Sequence, residues 1–481
     1  MTDRTRPAGS GAVLGWTLLS AVAPGAAHLR AGWRRTGLAL LGGYAVLLLG
    51  VLWLVLAADG DLAGWLIHSS AWLTAIMVAA AVLGLGWFAL IVHSFLVLLP
   101  GRLPQRGQLL TGIAAGLLSV AVVVPFAATA QLLWVSDRTI DSVFNQPTEP
   151  QAGEREPADP WATRTRVNLL LLGGDADDNR TGVRTDSMNV ASIDVKTGNT
   201  VLFSLPRNLE NVRFPPGSPM AKRFPDGFRL PTDAAGGRSD LLNSVWEYAD
   251  AHPEIFGGRK GQGAQALMDT IGYTLGLEID WYALVNMWGF ARLIDAIGGV
   301  TIHVEQDVVF GKYNEGLVKA GTRKLKGADA MWYARSRTFS DDFTRMRRQR
   351  CVMGALLREA DPTTVLTRFN GIALATKELV RTDIPRPMLE HLVPLALKVK
   401  NAKVTSVQFV PPLINTGYPD WAKIRTVTAK ALKDSVAPKP SVASAAPSPS
   451  TSPPASAKAT PKPKPSDVAA PKGLTDGCGT L

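Results

Sequence analysis

Long apolar runs crowd the first third of the chain and constrain its fold more than any other feature. Residues 38–57, 71–99 and 109–135 each supply roughly the 20 apolar residues needed to cross a hydrocarbon core about 30 Å thick. A shorter run at residues 12–29 contains proline and glycine, and it fits either a fourth span or a re-entrant segment. The sequence therefore predicts a transmembrane region of about three helices over residues 1–135.

The placement of charges between these runs favours three spans with the N-terminus inside the cell. Short cytoplasmic loops carry an excess of Lys and Arg. Arginines precede residue 38 and recur in residues 100–108, whereas residues 59–70 contain Asp59 and Asp61 but no Lys or Arg. We therefore expect a multi-pass protein of the cell membrane whose large C-terminal part lies outside the cytoplasm.

Two polar segments frame a single predicted domain at residues 161–434. Residues 136–160 are polar and rich in proline, which is typical of a linker. Residues 435–481 consist largely of Pro, Ala, Ser and Lys, and such a segment cannot bury enough apolar area to fold. We predict a disordered tail there.

The domain between these segments alternates predicted strands and helices. The run VNLLLLGG predicts a buried strand that ends in a glycine loop, and MNVASIDV-TG-NTVLFSLP predicts a β-hairpin. The main helical patterns lie at residues 239–251, 262–275, 347–360, 365–378 and 387–398. This alternation predicts an α/β domain with a central mixed sheet and helices on both faces.

An acidic loop follows the first predicted strand, at the position where α/β folds bind ligands. Its carboxylates are hard oxygen ligands of the kind that Mg²⁺ or Mn²⁺ prefers. They are Asp175, Asp177, Asp178 and Asp186. An EF-hand fits poorly because Arg180 stands where that loop needs glycine. A shared metal and ligand site or a solvated loop remain the alternatives.

The segment YARSRTFSDDFTRMRRQR, residues 333–350, contains six arginines. If its start is a strand, Arg335 and Arg337 point to one face, and two guanidinium groups there suit a phosphate. Arg207 follows another predicted strand in FSLPRN, although an arginine in that position is usually exposed. The start of the basic segment therefore predicts an anion site.

The second half of the basic segment has a helical pattern from about residue 343. Arg345 and Gln349 would then lie one turn apart on the ligand side. Arg347 and Arg350 are expected to be solvated, and Arg348 is left open. Asp342 is expected to orient Arg345 rather than to bind metal.

Several common sites are missing from the sequence. There is no GxxxxGK[ST], HExxH, CxxC or GxSxG motif, and the six histidines are scattered. A nucleic-acid partner is not expected for a domain outside the cytoplasm. Cys351 and Cys478 leave two alternatives open, a buried thiol within an apolar run or one disulfide bridge.

Seven segments within residues 165–360 resemble the LytR–CpsA–Psr family in sequence and in order. They are NLLLLGGD, VRTDSM, LFSLPRN, LLNSVWEYAD, ARLIDAIGGVTIHV, KAGTRKLKGADAMWYARSR and DDFTRMRRQR. The membrane anchor, the proline-rich tail and the high Gly and Ala content suggest the actinobacterial branch. Leu241 and Asn208 depart from the family pattern, in which a lysine and an aspartate are usual.

The resemblance implies an extracytoplasmic α/β/α domain that transfers a glycopolymer from a polyprenyl-pyrophosphate lipid to peptidoglycan. The expected partners are thus the lipid-linked glycan, peptidoglycan and the membrane, and the expected cofactor is Mg²⁺ or Mn²⁺. The implied catalytic residues are Arg207, Arg335, Arg337 and Asp186. The implied pyrophosphate-binding residues are Arg184, Arg207, Arg335, Arg337, Arg345 and Gln349, and the implied metal ligands are Asp175 and Asp186. A polyprenyl-pyrophosphate phosphatase and a non-catalytic envelope regulator are the alternatives.

Overall fold

The computed structural model describes residues 9–57, 70–98, 103–144, 160–162, 164–175, 183–232, 237–360, 380–437, 472–476 and 478. The chain forms two compact units, Met1–Asp141 and Ser142–Leu481. The predicted helix at residues 365–378 lies outside the described residues, as do Asp177 and Asp178 of the acidic loop.

The first unit is helical in its described part. Its helices are α1 (Ser10–Val22), α2 (Ala26–Arg30), α3 (Arg34–Ala57), α4 (Ser70–Val97) and α5 (Gln105–Phe144). The stretches Arg34–Trp53, Leu73–Val97 and Gln105–Val135 are long and apolar enough to cross a membrane, and they overlap the three predicted runs. They are compatible with membrane anchoring.

The ends of the predicted transmembrane region differ in detail from the sequence-based boundaries. The apolar run at residues 12–29 forms α1 and α2, and Gly25 between them has a φ of 101°, which favours glycine. Helix α5 continues to Phe144 and so extends into the segment predicted as a linker.

The second unit contains all of the described strands. They are β1 (Arg166–Asp175), β2 (Arg184–Asp194), β3 (Thr200–Leu205), β4 (Trp281–Asn286), β5 (Val300–Val304), β6 (Val308–Phe310), β7 (Gly316–Val318), β8 (Gly321–Leu325), β9 (Val380–Thr382), β10 (Val404–Gln408) and β11 (Lys472–Gly473). Its helices are α6 (Pro219–Arg223), α7 (Val245–Ala251), α8 (Gly263–Leu275), α9 (Met287–Ala296), α10 (Gly327–Arg335), α11 (Asp342–Glu359), α12 (Leu389–Lys400) and α13 (Trp421–Val436).

The central sheet is mixed, as predicted, with the order β11-β10-β3-β2-β1-β4-β9 in the described residues. Strands β2 and β3 form the predicted antiparallel hairpin, and Gly198 in its turn has a φ of 76°. Strand β1 is parallel to β4, and β3 is parallel to β10. Strands β1, β3, β4 and β10 therefore share one direction, and their carboxyl ends meet at one edge of the sheet.

Helices cover both faces of this sheet, which confirms the predicted α/β class. Successive side chains of a strand point to opposite faces. Leu170 and Leu172 of β1 are buried in a large core that α7, α8 and α13 complete. Leu171 faces the other way and packs in a second cluster with Met353 and Leu357 of α11. The sheet therefore fixes the position of α11, which carries part of the basic segment.

A smaller core supports the start of the basic segment. The β5–β8 pair and the β6–β7 hairpin pack with α9, α10 and α11 around Ile294, Val300 and Ile302. Ala330 and Tyr333 of α10 are buried in the same core. The carboxyl end of α10 is thus held firmly where the arginines begin.

The described residues of the C-terminal segment are ordered, in contrast to the disordered tail expected over residues 435–481. Ser435 belongs to α13, and Lys472–Gly473 forms the edge strand β11, which pairs antiparallel with β10. Cys478 forms a disulfide with Cys351 of α11, which settles the alternative left open by the sequence. A strand pairing and a covalent bond therefore tie the chain end back to the domain.

Candidate functional site

The register of the β2–β3 hairpin brings two of the sequence-predicted residues together. Met188 of β2 pairs with Leu205 of β3, so the start of β2 lies beside the end of β3. Asp186 precedes that pair on β2, and Arg207 follows it after β3. The Arg207 guanidinium donates a hydrogen bond from Nη1 to Oδ1 of Asp186. This ion pair lies at the carboxyl edge of the sheet, where α/β folds bind ligands.

Arg345 reaches the same point from α11. Its Nη1 donates to the main-chain oxygen of Asp186 at 2.9 Å. Its Nε and Nη2 donate to the two carboxylate oxygens of Asp342 at 3.0 and 3.2 Å. Arg345 is only 4% exposed, and a buried guanidinium needs such partners. The basic segment and the hairpin therefore form one site.

Asp342 connects the two halves of the site. Its Oδ1 lies 3.6 Å from Nε of Arg207 and accepts the bond from Arg345 described above. The expectation that Asp342 orients Arg345 is therefore confirmed. We call Arg207, Arg345, Asp186 and Asp342 the arginine–aspartate cluster.

The N-terminus of α11 sets the position of this part of the cluster. The Asp341 side chain accepts a hydrogen bond from the Thr344 N–H at 2.7 Å and caps the helix. Asp342 is the first residue of α11, and Arg345 follows three residues later. The two side chains therefore lie on one face of the helix. The predicted helix in the second half of the basic segment is confirmed.

The predicted strand at the start of the basic segment is wrong. Residues Gly327–Arg335 form α10, whose buried side chains include Ala330, Met331 and Tyr333. Burial at helical spacing outweighs the short alternation in YARSR. Ser336 ends the helix, and its Oγ donates to the Val309 carbonyl at 2.5 Å.

Arg335 and Arg337 are therefore presented by a helix end and a turn, not by one strand face. Arg337 opens a turn in which the Ser340 N–H donates to the Arg337 carbonyl at 3.0 Å. Partial desolvation, followed by repulsion from Arg207, lowers the pKa of Arg337, while Asp342 opposes that shift. Arg337 thus lies within the field of the cluster, and an anion bound there would relieve the repulsion.

Arg335 lies beside the ring of Trp332. Its guanidinium carbon is 5.4 Å from the Trp332 ring centroid, and the side chain is exposed. The Trp332 ring in turn stacks on Phe310 of β6 at 5.0 Å. The aromatic pair limits the directions that Arg335 can take, which favours its use as a fixed donor.

The solvent exposure of the three remaining arginines differs in part from the sequence-based expectation. Arg347 is exposed as predicted, and its Nη2 lies 3.0 Å from Oε2 of Glu305. Arg350 was expected to be solvated, but it is 6% exposed and donates to the Asp476 carbonyl of the returning C-terminal segment. Arg348 is equally buried and donates to the Ser336 carbonyl at 3.0 Å. It holds the turn that carries Arg337.

Three other predicted site residues have local partners outside the cluster. Nε of Arg184 donates to Oε2 of Glu247 on α7 at 3.1 Å. Nε2 of Gln349 donates to the Ala334 carbonyl in the last turn of α10 at 3.3 Å. Arg184 pairs in the sheet with Asp175, whose side chain lies outside the described residues. No local pattern in the sequence points to Glu247 or to the anchoring role of Arg348.

The carboxylates of the cluster are already paired with arginines. Asp186 and Asp342 both contact Arg207, and the backbone of Asp175 pairs with that of Arg184, two positions before Asp186. Carboxylate oxygens are the ligands that Mg²⁺ and Mn²⁺ prefer. No group of three or more His, Cys, Asp or Glu side chains is placed to hold a metal among the described residues. A metal at this edge would therefore need oxygens beyond those that the described side chains supply.

Comparison with known proteins identifies relatives of this domain. The LytR_cpsA_psr family model matches residues 139–421. A polyisoprenyl-teichoic acid–peptidoglycan teichoic acid transferase, TagU of Oceanobacillus iheyensis, is 30% identical over 258 residues, covering 53% of this chain and 70% of the relative. TagU of Halalkalibacterium halodurans is 26% identical over 281 residues, covering 56% and 79%.

Solved structures are also similar in part. TagT bound to LIIa-WTA is 19% identical and covers 60% of this chain and 94% of that chain, with a TM-score of 0.40. TagV of B. subtilis is 22% identical and covers 56% and 97%, with a TM-score of 0.39.

Proposed function

The chain belongs to the LytR–CpsA–Psr family, and from that premise we propose that it transfers a glycopolymer from a polyprenyl-pyrophosphate carrier to peptidoglycan. The product is a phosphodiester link between glycopolymer and wall. The relatives named as teichoic acid transferases support a transferase, and not a phosphatase or a non-catalytic binding protein.

One observation carries this proposal, the meeting of Arg207 and Arg345 at the carboxyl edge of the sheet, with Arg337 in the field of that pair. Their partners Asp186 and Asp342 hold Arg207 and Arg345 in place before any substrate binds. Planar guanidinium groups match the oxygens of a pyrophosphate. Phosphoryl transfer requires chiefly positioning and charge stabilisation, and fixed donors provide both.

The pyrophosphate would lie against these three guanidinium groups, with Arg335 as a further donor. Arg184 and Gln349 belong to the surrounding pocket in this proposal. Mg²⁺ or Mn²⁺ would be held by Asp175 and Asp186, and when bound it supplies positive charge to the phosphate oxygens.

A peptidoglycan hydroxyl, for which we propose the 6-hydroxyl of muramic acid, attacks the sugar-side phosphorus. A new P–O bond forms to this oxygen while the bond to the lipid phosphate breaks. The lipid monophosphate leaves, and the hydroxyl proton passes to a carboxylate. Asp186 is the proposed acceptor, through the carboxylate oxygen that does not accept from Arg207, because the ion pair fixes its position.

The proposed location follows from the apolar helices of the first unit. We propose a multi-pass cell-membrane protein with its N-terminus in the cytoplasm and its catalytic domain outside, which the three apolar helices and the arginines at residues 100–108 support. The substrate lipid and the wall acceptor are both accessible on that side. A polyprenyl carrier keeps its pyrophosphate at the membrane surface, within reach of a tethered domain.

The test uses the full chain in detergent with a lipid carrier labelled in its glycan. When peptidoglycan is supplied, the labelled glycan is expected to become attached to it. Release of a free phosphorylated glycan at equal rates with and without peptidoglycan would instead identify a pyrophosphatase. Binding of the carrier without any turnover would identify a non-catalytic protein, and either result would overturn the proposal.

A further inference from the structure

Exposed apolar side chains border the arginines on two neighbouring segments. Phe339 is 85% exposed, and Tyr313 and Leu317 are 80% and 46% exposed. Phe339 lies in the turn after Arg337, while the other two lie in and beside the turn of the β6–β7 hairpin. We call Tyr313, Leu317, Phe339, Lys312, Arg335 and Arg337 the aromatic–cationic face.

Direct contacts hold the two segments of this face together. The Ser336 Oγ donates to the Val309 carbonyl of β6 at 2.5 Å. Phe310 of β6 stacks on Trp332 of α10, and Trp332 lies beside Arg335. The hairpin and the turn are therefore packed against each other.

Phe339 has an unfavourable conformation as well as an unfavourable environment. Its φ is 56°, a value that is uncommon for a bulky residue. Its ring faces solvent, so burial of the ring does not offset this cost. Strain of this kind is retained where the surrounding structure imposes it, often for function. The turn after Arg337 therefore exposes the Phe339 ring to solvent.

Lys312, Arg335 and Arg337 are the basic residues beside these rings, and the exposed acidic residues Glu315 and Asp341 both accept local backbone hydrogen bonds. Lys312 lies 5.5 Å from the Tyr313 ring centroid, and Arg335 and Arg337 are exposed beside the other segment. Glu315 is the acidic residue of the hairpin turn, and its Oε2 accepts a hydrogen bond from the Tyr313 N–H. Aromatic rings with basic neighbours are typical of surfaces that enter the headgroup layer of an anionic membrane.

We propose that the aromatic–cationic face docks on the surface of an anionic lipid bilayer, with Phe339, Tyr313 and Leu317 entering the interface. The occupant is a lipid surface and not another protein, because exposed amphipathic rings with basic neighbours lie beside a proposed pyrophosphate site. The sequence also ties this domain to apolar helices that end only shortly before β1. Docking would place the arginine–aspartate cluster at headgroup level, and this consequence rests on the proposed function.

The experiment places a nitroxide spin label on the full chain in vesicles. Both native cysteines are paired, so an introduced cysteine supplies a free thiol for labelling. We would label Phe339→Cys and, separately, Leu317→Cys. The matched control is Tyr418→Cys, since Tyr418 is 86% exposed and lies outside the face. Relaxation by oxygen and by a water-soluble nickel complex reports how deeply each label lies.

In phosphatidylglycerol vesicles, the labels at 339 and 317 should gain accessibility to oxygen and lose accessibility to nickel, relative to the label at 418. The shift should be lost in vesicles of phosphatidylcholine alone. With the label at 317, Tyr313→Ser combined with Phe339→Ser should return it to the aqueous value. Fully aqueous labels, or labels shielded from both agents by another part of the protein, would overturn the proposal.

A transfer assay in detergent separates this inference from the proposed function. The variant with Tyr313→Ser and Phe339→Ser should transfer glycan normally in micelles, because neither residue belongs to the arginine–aspartate cluster. Docking without any transfer by the wild type would refute the function and leave the docking face intact. Transfer by the wild type without docking would refute the docking face and leave the proposed function intact.

Discussion

Asp342 binds Arg345 through both carboxylate oxygens, at 3.0 and 3.2 Å. The pair is three residues apart on the first turn of α11, and Arg345 also reaches the main-chain oxygen of Asp186. One carboxylate thus fixes the direction of a buried guanidinium before any ligand arrives. Catalysis by fixed charges depends on such preorganisation.

Replacing this carboxylate should impair binding of the lipid-linked substrate. Asp342→Asn keeps the size of the side chain but removes the charge that orients Arg345. We expect kcat/KM for glycan transfer to fall by about tenfold to a hundredfold, as is common when an orienting partner is lost. Glu305→Gln is the matched control, because Glu305 pairs with the exposed Arg347. Equal kinetics for Asp342→Asn and Glu305→Gln would contradict this role.

Arg335 should contribute through its forked guanidinium as well as through its charge. Arg335→Ala is expected to lose about 2 kcal/mol of transition-state stabilisation, the scale for one preorganised donor. Arg335→Lys keeps the charge but not the planar group beside Trp332, so its rate should be intermediate. Steady-state transfer rates at saturating peptidoglycan measure both effects. If Arg335→Ala and Arg335→Lys both transfer glycan at the wild-type rate, Arg335 is not part of the site.

The disulfide should stabilise the second unit considerably. It joins Cys351 and Cys478 across 127 residues, and a long closed loop restricts the unfolded chain. We expect the Cys351→Ser and Cys478→Ser double variant to lose about 2–5 kcal/mol of unfolding free energy. Chemical denaturation under non-reducing conditions measures this loss. Dithiothreitol should destabilise the wild type and leave the double variant unchanged, and the opposite pattern would contradict the prediction.

Asp383 should make stability depend on pH. Burial raises the pKa of its carboxyl from 3.8 to about 6, although the Tyr282 N–H donates to it at 2.7 Å. Because the folded state binds this proton more tightly, its contribution is full below pH 3.8 and is lost as pH rises through 6.

The matching variant is Asp383→Asn, which cannot ionise. Between pH 4 and 7 the wild type should lose about 1 kcal/mol of stability relative to this variant, a value that allows for partial exposure of the carboxyl. Thermal unfolding of both proteins across this range measures the difference. A constant difference in unfolding free energy would show that Asp383 has an ordinary pKa.

Local sequence patterns correctly predicted the elements that are specified by residues close together in the sequence. The apolar run of β1 and the glycine turn between β2 and β3 are recognisable because alternation and turn chemistry act over a few residues. The N-terminus of α11 is similar, since Asp341 caps the helix.

The errors came from contacts between distant parts of the chain. YARSR alternates like a strand, but Tyr333 packs in a core built with β5 and α11, and this packing makes the segment helical. An arginine within a basic segment is ordinarily exposed to solvent. The partner of Arg350, however, is the carbonyl of Asp476, more than 100 residues away. No pattern near Arg350 reveals that the chain end returns there.

The central claim is that the clustered arginines hold the pyrophosphate for transfer, and one comparison tests it most directly. Arg337 lies in the field of Arg207 and Arg345, whereas Arg347 lies on the same basic segment but is exposed and paired with Glu305. Arg337→Ala and Arg347→Ala remove the same charge.

The measurement is the single-turnover rate of labelled glycan transfer to peptidoglycan by the two variants in the full chain. Arg337→Ala should be slower than wild type by a factor corresponding to about 2 kcal/mol or more, while Arg347→Ala should match the wild type. Equal rates for Arg337→Ala and Arg347→Ala would contradict the account.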